Sequence, residues 1–259
     1  RNSSLASCYL DPRKDEYVGD HAVHHTNTWL LFGRLDEIIR EGRATIPYET
    51  GFVDAESYWS NYMWGQHNRA ASGQANNLVN SVDLTGRSRL LDLGGGTGSY
   101  AIALCEANPR LKAVVVDRKE PLAVAHQLLA RSTVGDRVNL VEGDFFEVDA
   151  GTGYDVVLLS GVVLISSNDA NRRALDLARD SLVPGGVLIV QDYMRVDASP
   201  ARHRLDTLED LYVLVAFDAG GGSREGDEVA SWVRDAGFEN ITQTALPTQL
   251  ALITAEKPR

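Results

Sequence analysis

The sequence predicts an α/β chain: a doubly wound, mostly parallel seven-stranded sheet preceded by a helical segment. Three observations predict it. Strand-length apolar runs alternate with amphipathic helical stretches from about residue 83 onward, and such alternation implies a parallel sheet with helices on both faces. The run Leu90-Leu91-Asp92-Leu93 ends in Gly94-Gly95-Gly96-Thr97-Gly98, and a helical pattern follows, which reads as a strand, a tight turn and a helix start. A second apolar run, Lys112 to Val116, ends in Asp117, about 20 residues beyond the glycines, where a nucleotide's ribose hydroxyls are commonly held.

Composition sets the bounds. The chain has 259 residues, 44% hydrophobic and 24% charged, as expected of a globular protein with a sizeable core. The formal net charge of -11 disfavours nucleic acid as a partner, because phosphate backbones need clustered Lys and Arg. Cys8 and Cys105 are the only cysteines and make no disulfide framework, so a cytoplasmic setting is expected. No run approaches the ~18 apolar residues of a membrane span, and no signal peptide is evident.

The elements follow in order. Asp11-Pro12 marks a turn. From Asp20 to Arg40 one helix is expected, with Trp29, Phe32, Leu35, Ile38 and Ile39 as its apolar stripe and Gly42 as its stop. His21, His24 and His25 lie on it. His21 and His25 are one turn apart, but no third ligand is evident, so no metal is expected and a polar face or pocket wall is the reading. Residues 43–54 read as a loop. One or two helices cover 55–82, with Tyr58, Trp59, Tyr62, Met63 and Trp64 as an aromatic cluster that suits a core or a pocket wall equally. Strands are expected near 89–93, 112–117, 138–142, 154–160, 186–192, 239–244 and 248–255. Helices are expected near 97–107, 120–131, 169–182, 203–217 and 225–236. Gly220 to Gly222 read as a mobile loop at a pocket rim. Asn168-Asp169 reads as a helix cap and Arg172-Arg173 as a solvated face. Glu225, Asp227 and Glu228 read as acids at a helix start. The chain divides into a helical segment, 1–82, and a cofactor-binding domain, 83–259.

The glycine turn discriminates between ligands. A dinucleotide wants G-x-G-x-x-G, and Ser99 stands where its third glycine belongs. Asp92, just before the glycines, would repel a pyrophosphate and suits a ligand with an ammonium or sulfonium group, S-adenosylmethionine. Gly94, Gly96 and Gly98 let that ligand approach the backbone. Asp117 offers two acceptor oxygens to the ribose hydroxyls. Arg118 reads as a neighbour of the adenine face or as a solvated arginine.

With Gly143-Asp144-Phe145-Phe146, the run Tyr154 to Ser160, Pro184-Gly185-Gly186 and Ala236-Gly237-Phe238 added in order, the chain resembles the class I S-adenosylmethionine-dependent methyltransferases. More narrowly, it resembles the small-molecule O-methyltransferases of plant phenylpropanoid and bacterial polyketide-tailoring type. The resemblance covers about two thirds of the chain. It implies an antiparallel strand closing the sheet, Asp144 at the adenine amine, Phe145 on the adenine ring, Ser160 at the methionine end, and methyl transfer to a hydroxyl of a small aromatic or polyketide-like metabolite. Family members dimerise through an N-terminal domain. The chain is too short for all of it, so residues 1–82 are expected to hold its end, and a homodimer is expected of the full-length protein.

One departure matters. Counting from Ser160, the family's catalytic histidine position is Leu164 and the following acid position is Ile165, and neither accepts a proton. Transfer then proceeds by proximity, or the base is His203, Tyr212 or His67. The helix near 203–217 lines the family's substrate pocket, which favours His203 and Tyr212. Alternatively the acceptor is carbon, or the scaffold performs a hydroxylation or pericyclic step.

Overall fold

In the computed structural model the described residues are 2–14, 16–197, 200–217 and 220–259, with 200–205 described by their helix alone. Seven strands form the main sheet: β1 (Arg89–Leu93), β2 (Lys112–Asp117), β3 (Val138–Glu142), β4 (Tyr154–Ser160), β5 (Leu182–Asp192), and, after the short pair β6 (Met194–Arg195) and β7 (Arg224–Glu225) outside it, β8 (Glu239–Ala245) and β9 (Ala251–Glu256). Their order is β3-β2-β1-β4-β5-β9-β8. The first five run parallel, and β9 is antiparallel to both β5 and β8. The order reverses between β1 and β4, and ligands of such sheets sit beyond the strand ends at that point.

The sheet's pleat sorts its side chains between two cores. Leu91, Leu93, Val157 and Leu159 face one; Leu90, Val156 and Leu158 face the other. This is the near-continuous apolar strand that burial on both faces demands. The strand β5 begins earlier than the sequence indicated. Its ladder on β4 starts at Leu182 and passes an irregularity between Tyr154 and Val156, so the Pro184-Gly185-Gly186 turn lies inside the strand, with Gly185 at φ +74.

After α1 (Ser4–Tyr9), the helices covering the strand ends are α2 (Gly19–Phe32), α3 (Leu35–Glu41), α4 (Ala55–Arg69) and α5 (Ala75–Ser81); α6 (Ser99–Ala107), α7 (Lys119–Leu129), α8 (Asn168–Ser181), α9 (Pro200–Ala216) and α10 (Gly226–Asp235) follow among the strands. The single helix expected over 20–40 is two, broken at Gly33 and Arg34. The buried face of α2 runs through His24, Thr28 and Leu31, so Trp29 is 74% exposed, and on α3 Ile38 is buried while Ile39 points out. Gly42 ends α3 in the left-handed conformation, as its sequence position indicated. A short 3-10 turn, Pro47–Thr50, interrupts the expected loop. Between α4 and α5 the chain makes one π turn, Ala70–Gln74, with Gly73 at φ +129.

Candidate active site

The site is built on the end of β1. Leu93 closes the strand, and the chain turns through Gly94 (φ +70) and Gly96 (φ +57) into α6 (Ser99–Ala107). Left-handed backbone is cheap only for glycine, and Gly94 also needs the missing side chain. A Cβ on Gly94 would come 2.9 Å from Val162 Cγ2, and one on Gly96 would stand about 4 Å from both Met63 Sδ and Asp117 Oδ2, filling the space between loop and acid. Asp117, at the end of β2, accepts the Gly96 N–H at 2.8 Å with Oδ2 and the Arg118 N–H at 2.7 Å with Oδ1. Each oxygen keeps a second lone pair for a ligand. Burial pushes the Asp117 carboxyl up, and these backbone donors oppose the rise.

A cavity of about 480 Å³ opens over this loop. One end is lined by Gly94 to Thr97, Asp117, Arg118 and Ser160. The other is aromatic: Tyr48, Tyr58, Trp59, Tyr62 and Phe217 all stand on its wall. Of the cluster singled out in the sequence, Tyr58, Trp59, Tyr62 and Met63 are therefore pocket wall. Trp64 instead meets His67 edge-on. The Arg118 guanidinium sits 5.6 Å from the Trp59 ring centroid, so it bridges the two ends. Ser160 Oγ accepts a hydrogen bond from Gln191 Nε2 at 3.1 Å.

The other expected cofactor residues lie around rather than on this wall. Asp92 is fully buried beneath the loop, with both carboxyl oxygens unpartnered. Gly98 caps α6 with φ +69. Asp144 is exposed, accepts the Phe146 N–H at 2.8 Å, and lies near enough to Asp117 for its charge to be felt there. Phe145 packs against the core and borders Gly94. The lining fits S-adenosylmethionine on geometry alone: bare backbone at a helix start, an acid with spare acceptors at ribose position, and a cradle that a Cβ would occupy.

Burial, and then the charge of Asp117, push the Asp92 carboxyl up to about 8. Its folded pKa exceeds its unfolded one, so the stability it contributes is full below about pH 4 and is lost as pH rises through about 8. Asp92→Asn keeps the shape and removes the titration. The variant should unfold several degrees above the parent at about pH 9 and lose that advantage at about pH 4, in thermal scans at the two pH values. Equal differences at both would contradict a buried titrating acid.

The candidate bases are dispersed. Tyr212 lies on α9 (Pro200–Ala216), is absent from the cavity wall, and shares a 2.6 Å hydrogen bond with His24 Nε2. Burial raises its phenol well above the ordinary value, which suits structure better than proton uptake at neutral pH. His203 falls on the same helix, but its side chain is outside the described residues. His67 Nδ1 is 2.9 Å from Ser99 Oγ and faces a separate recess of about 290 Å³. His21 and His25 meet Nε2 to Nε2 at 3.1 Å, and among the described residues no group of three ligating side chains forms.

The segment after β4 also differs from expectation. Leu164 is only 7% exposed, and Ile165, not Leu164, reaches the cavity. Asp192, fully buried at the end of β5, accepts the N–H groups of Val163 and Leu164 and of its own neighbour Tyr193. The Gly220 to Gly222 loop is pinned here too: Gly222 N–H donates to the Leu164 carbonyl at 2.7 Å. Sequence reading missed Arg69, Gln74 and Tyr193, all on the cavity wall. Tyr193 was discoverable, because it directly follows a central strand's carboxyl end; the other two carried no signal.

Among known proteins, residues 32–239 match the family model described as an O-methyltransferase domain. The chain is similar to the tetracenomycin polyketide synthesis 8-O-methyl transferase of Streptomyces glaucescens, 32% identical over 100% of this chain and 76% of that protein. It is similar to 3-hydroxy-5-methyl-1-naphthoate 3-O-methyltransferase of Streptomyces sahachiroi, 30% identical over 93% and 70%. Aclacinomycin 10-hydroxylase of Streptomyces purpurascens is 33% identical over 90% and 63%. In fold, the chain is similar to human N-acetylserotonin methyltransferase crystallised with S-adenosylmethionine, with a TM-score of 0.85 over 100% of this chain and 76% of that one at 23% identity.

Proposed function

The chain belongs to the O-methyltransferase domain family, and on that premise we propose that it methylates a hydroxyl of a small aromatic, polyketide-like metabolite, using S-adenosylmethionine. One observation carries the reading: a single cavity joins the glycine loop and Asp117 to an aromatic chamber. When bound, the cofactor supplies a methyl group on a sulfonium, which leaves as a neutral thioether. Asp117 would hold the ribose, Asp144 and Phe145 the adenine, Met63 and Ser160 the methionine end. Tyr58, Trp59, Tyr62 and Phe217 would clamp a planar acceptor and keep water from it. The protein's part is alignment, and bringing the reacting atoms within ~3–3.5 Å accounts for several kcal/mol of barrier.

Titration calorimetry with S-adenosylhomocysteine should give micromolar binding, and incubation of hydroxylated anthraquinones with S-adenosylmethionine should add one methylene by mass. No binding at high micromolar concentration would remove the reading. A second reading, a tailoring step other than methylation on the same scaffold, is favoured by Leu164 and Ile165 and by similarity to a hydroxylase. Its mark is a product gaining oxygen without a methylene. The division into 1–82 and 83–259 is supported by the change from helices alone to alternating elements. A homodimer is supported by the exposed apolar side chains Trp29, Leu30 and Ile39. A cytoplasmic setting is supported by two free cysteines; among the described residues no helix is long and apolar enough to cross a membrane.

A further inference from the structure

The inference rests on the methyl-transfer reading, in which the acceptor hydroxyl must lose its proton. The described wall of the cavity holds no histidine, and the nearest conventional position is filled by buried Leu164. It does hold a cation. Arg69, the last residue of α4, lines the chamber with its side chain 17% exposed. Its guanidinium lies over the Tyr193 ring, 5.1 Å from the centroid, which fixes its plane and orients its fork of donors.

That cation is under-paired. Its one ion pair among the described residues is with Glu209 Oε1 at 3.9 Å, the outer limit of contact. Burial pushes the Glu209 carboxyl up, and the Arg69 charge only opposes that rise. Asp192, another acid within its field, is engaged by three backbone N–H groups. His21, His24 and His25 contribute no compensating charge of either sign, because burial, with Arg69 adding to it, holds all three below their ordinary pKa. A desolvated guanidinium without close acceptors is costly, and an anionic oxygen entering the chamber would relieve that cost. The cavity's own phenols report the field. Burial pushes Tyr100 up to about 12 and raises Tyr62 as well, and at both the Arg69 charge acts the other way.

We propose that Arg69 binds the acceptor hydroxyl as its oxyanion, replacing a proton-accepting side chain and selecting acidic phenols as substrates. The phenol's proton passes to water before the chamber is filled. The oxygen keeps the electron pair that then bonds to the methyl carbon, while the carbon–sulfur pair stays on sulfur. The charge of an arginine is permanent, so it stabilises an anion without titrating itself.

The experiment reads ionisation without turnover. Alizarin, a hydroxyanthraquinone whose phenolate absorbs at longer wavelength, is titrated with pH on the protein saturated with S-adenosylhomocysteine. In the wild type its midpoint should fall at least one pH unit below that of free dye, about a tenfold gain in phenolate. Arg69→Met should return it to the free value, and Arg69→Lys should keep part of the shift. Should Arg69→Met fail to fold by circular dichroism, Arg69→Gln serves in its place. A midpoint that is the same with and without the guanidinium, or a dye that binds no better to wild type than to the variants, overturns the proposal. So does a tenfold loss of S-adenosylhomocysteine affinity with an unmoved midpoint, which would assign Arg69 to the cofactor's carboxylate. Failure of methyl transfer with the Arg69-dependent shift intact would instead count against the proposed reaction and leave the anion site standing.

Discussion

Asp117→Ala should weaken S-adenosylhomocysteine binding by at least a hundredfold, measured by titration calorimetry, with the thermal midpoint changed by only a few degrees. The carboxylate spans the junction of two segments. Through Oδ2 it holds Gly96 N–H at 2.8 Å, and through Oδ1 it holds Arg118 N–H at 2.7 Å. Removing it therefore frees the glycine loop at the moment that it also deletes the acceptors proposed for two ribose hydroxyls. Hydrogen bonds to a charged group contribute roughly 1.5–3 kcal/mol each, so loss of two corresponds to at least about 3 kcal/mol, above a hundredfold. Asp117→Asn retains one acceptor and should fall between. Affinity within threefold of the parent in the alanine variant would place the nucleoside elsewhere.

Gly95→Ala should be strongly destabilising and should weaken cofactor binding as well. The added Cβ would arrive 2.5 Å from the Asp92 carboxyl carbon and 2.8 Å from Val115 Cγ1, atoms locked in the sheet's interior. Overpacking of this kind costs about 1–3 kcal/mol, and here any relief must push the glycine loop into the cavity. The expected result is a lower denaturant midpoint with an unchanged slope, together with weakened cofactor binding. The double variant Asp92→Ala/Gly95→Ala tests the cause. Deleting the carboxyl opens the space that the methyl needs, so the two changes should cost less together than their sum. Strict additivity would show that the clash is not with Asp92.

The sheet was legible because its signals are local. The parallel strands are predominantly apolar runs, most are followed by a polar or glycine residue, and a helical pattern fills the gaps except the one between β3 and β4. The glycine turn and Asp117 were legible for the same reason: a glycine turn into a helix and an acid at a strand's end are local patterns, and both line the cavity. The helical cover was read less well. A break at Gly33 and Arg34 divides a helix that periodicity carried through, and within α2 the buried face runs through His24, Thr28 and Leu31, which leaves Trp29 in solvent. The aromatic cluster near Tyr58 could not be assigned to core or pocket, because both want the same side chains and only the neighbouring elements decide. Arg69 and Tyr193 meet across the fold, 124 residues apart in number, and no spacing rule links an arginine at one helix end to a tyrosine behind a distant strand. The buried pair of His24 and Tyr212 was missed likewise.

The backbone ties around Leu164 have a practical consequence for anyone wishing to graft a proton acceptor onto this scaffold. Asp192 grips the amides of residues 163 and 164, and Gly222 grips the carbonyl of 164, so a new imidazole at that position would inherit Leu164's orientation and be entombed. The neighbouring position, Ile165, already looks into the chamber. A redesign guided by sequence alignment alone would choose the wrong one of these two adjacent side chains.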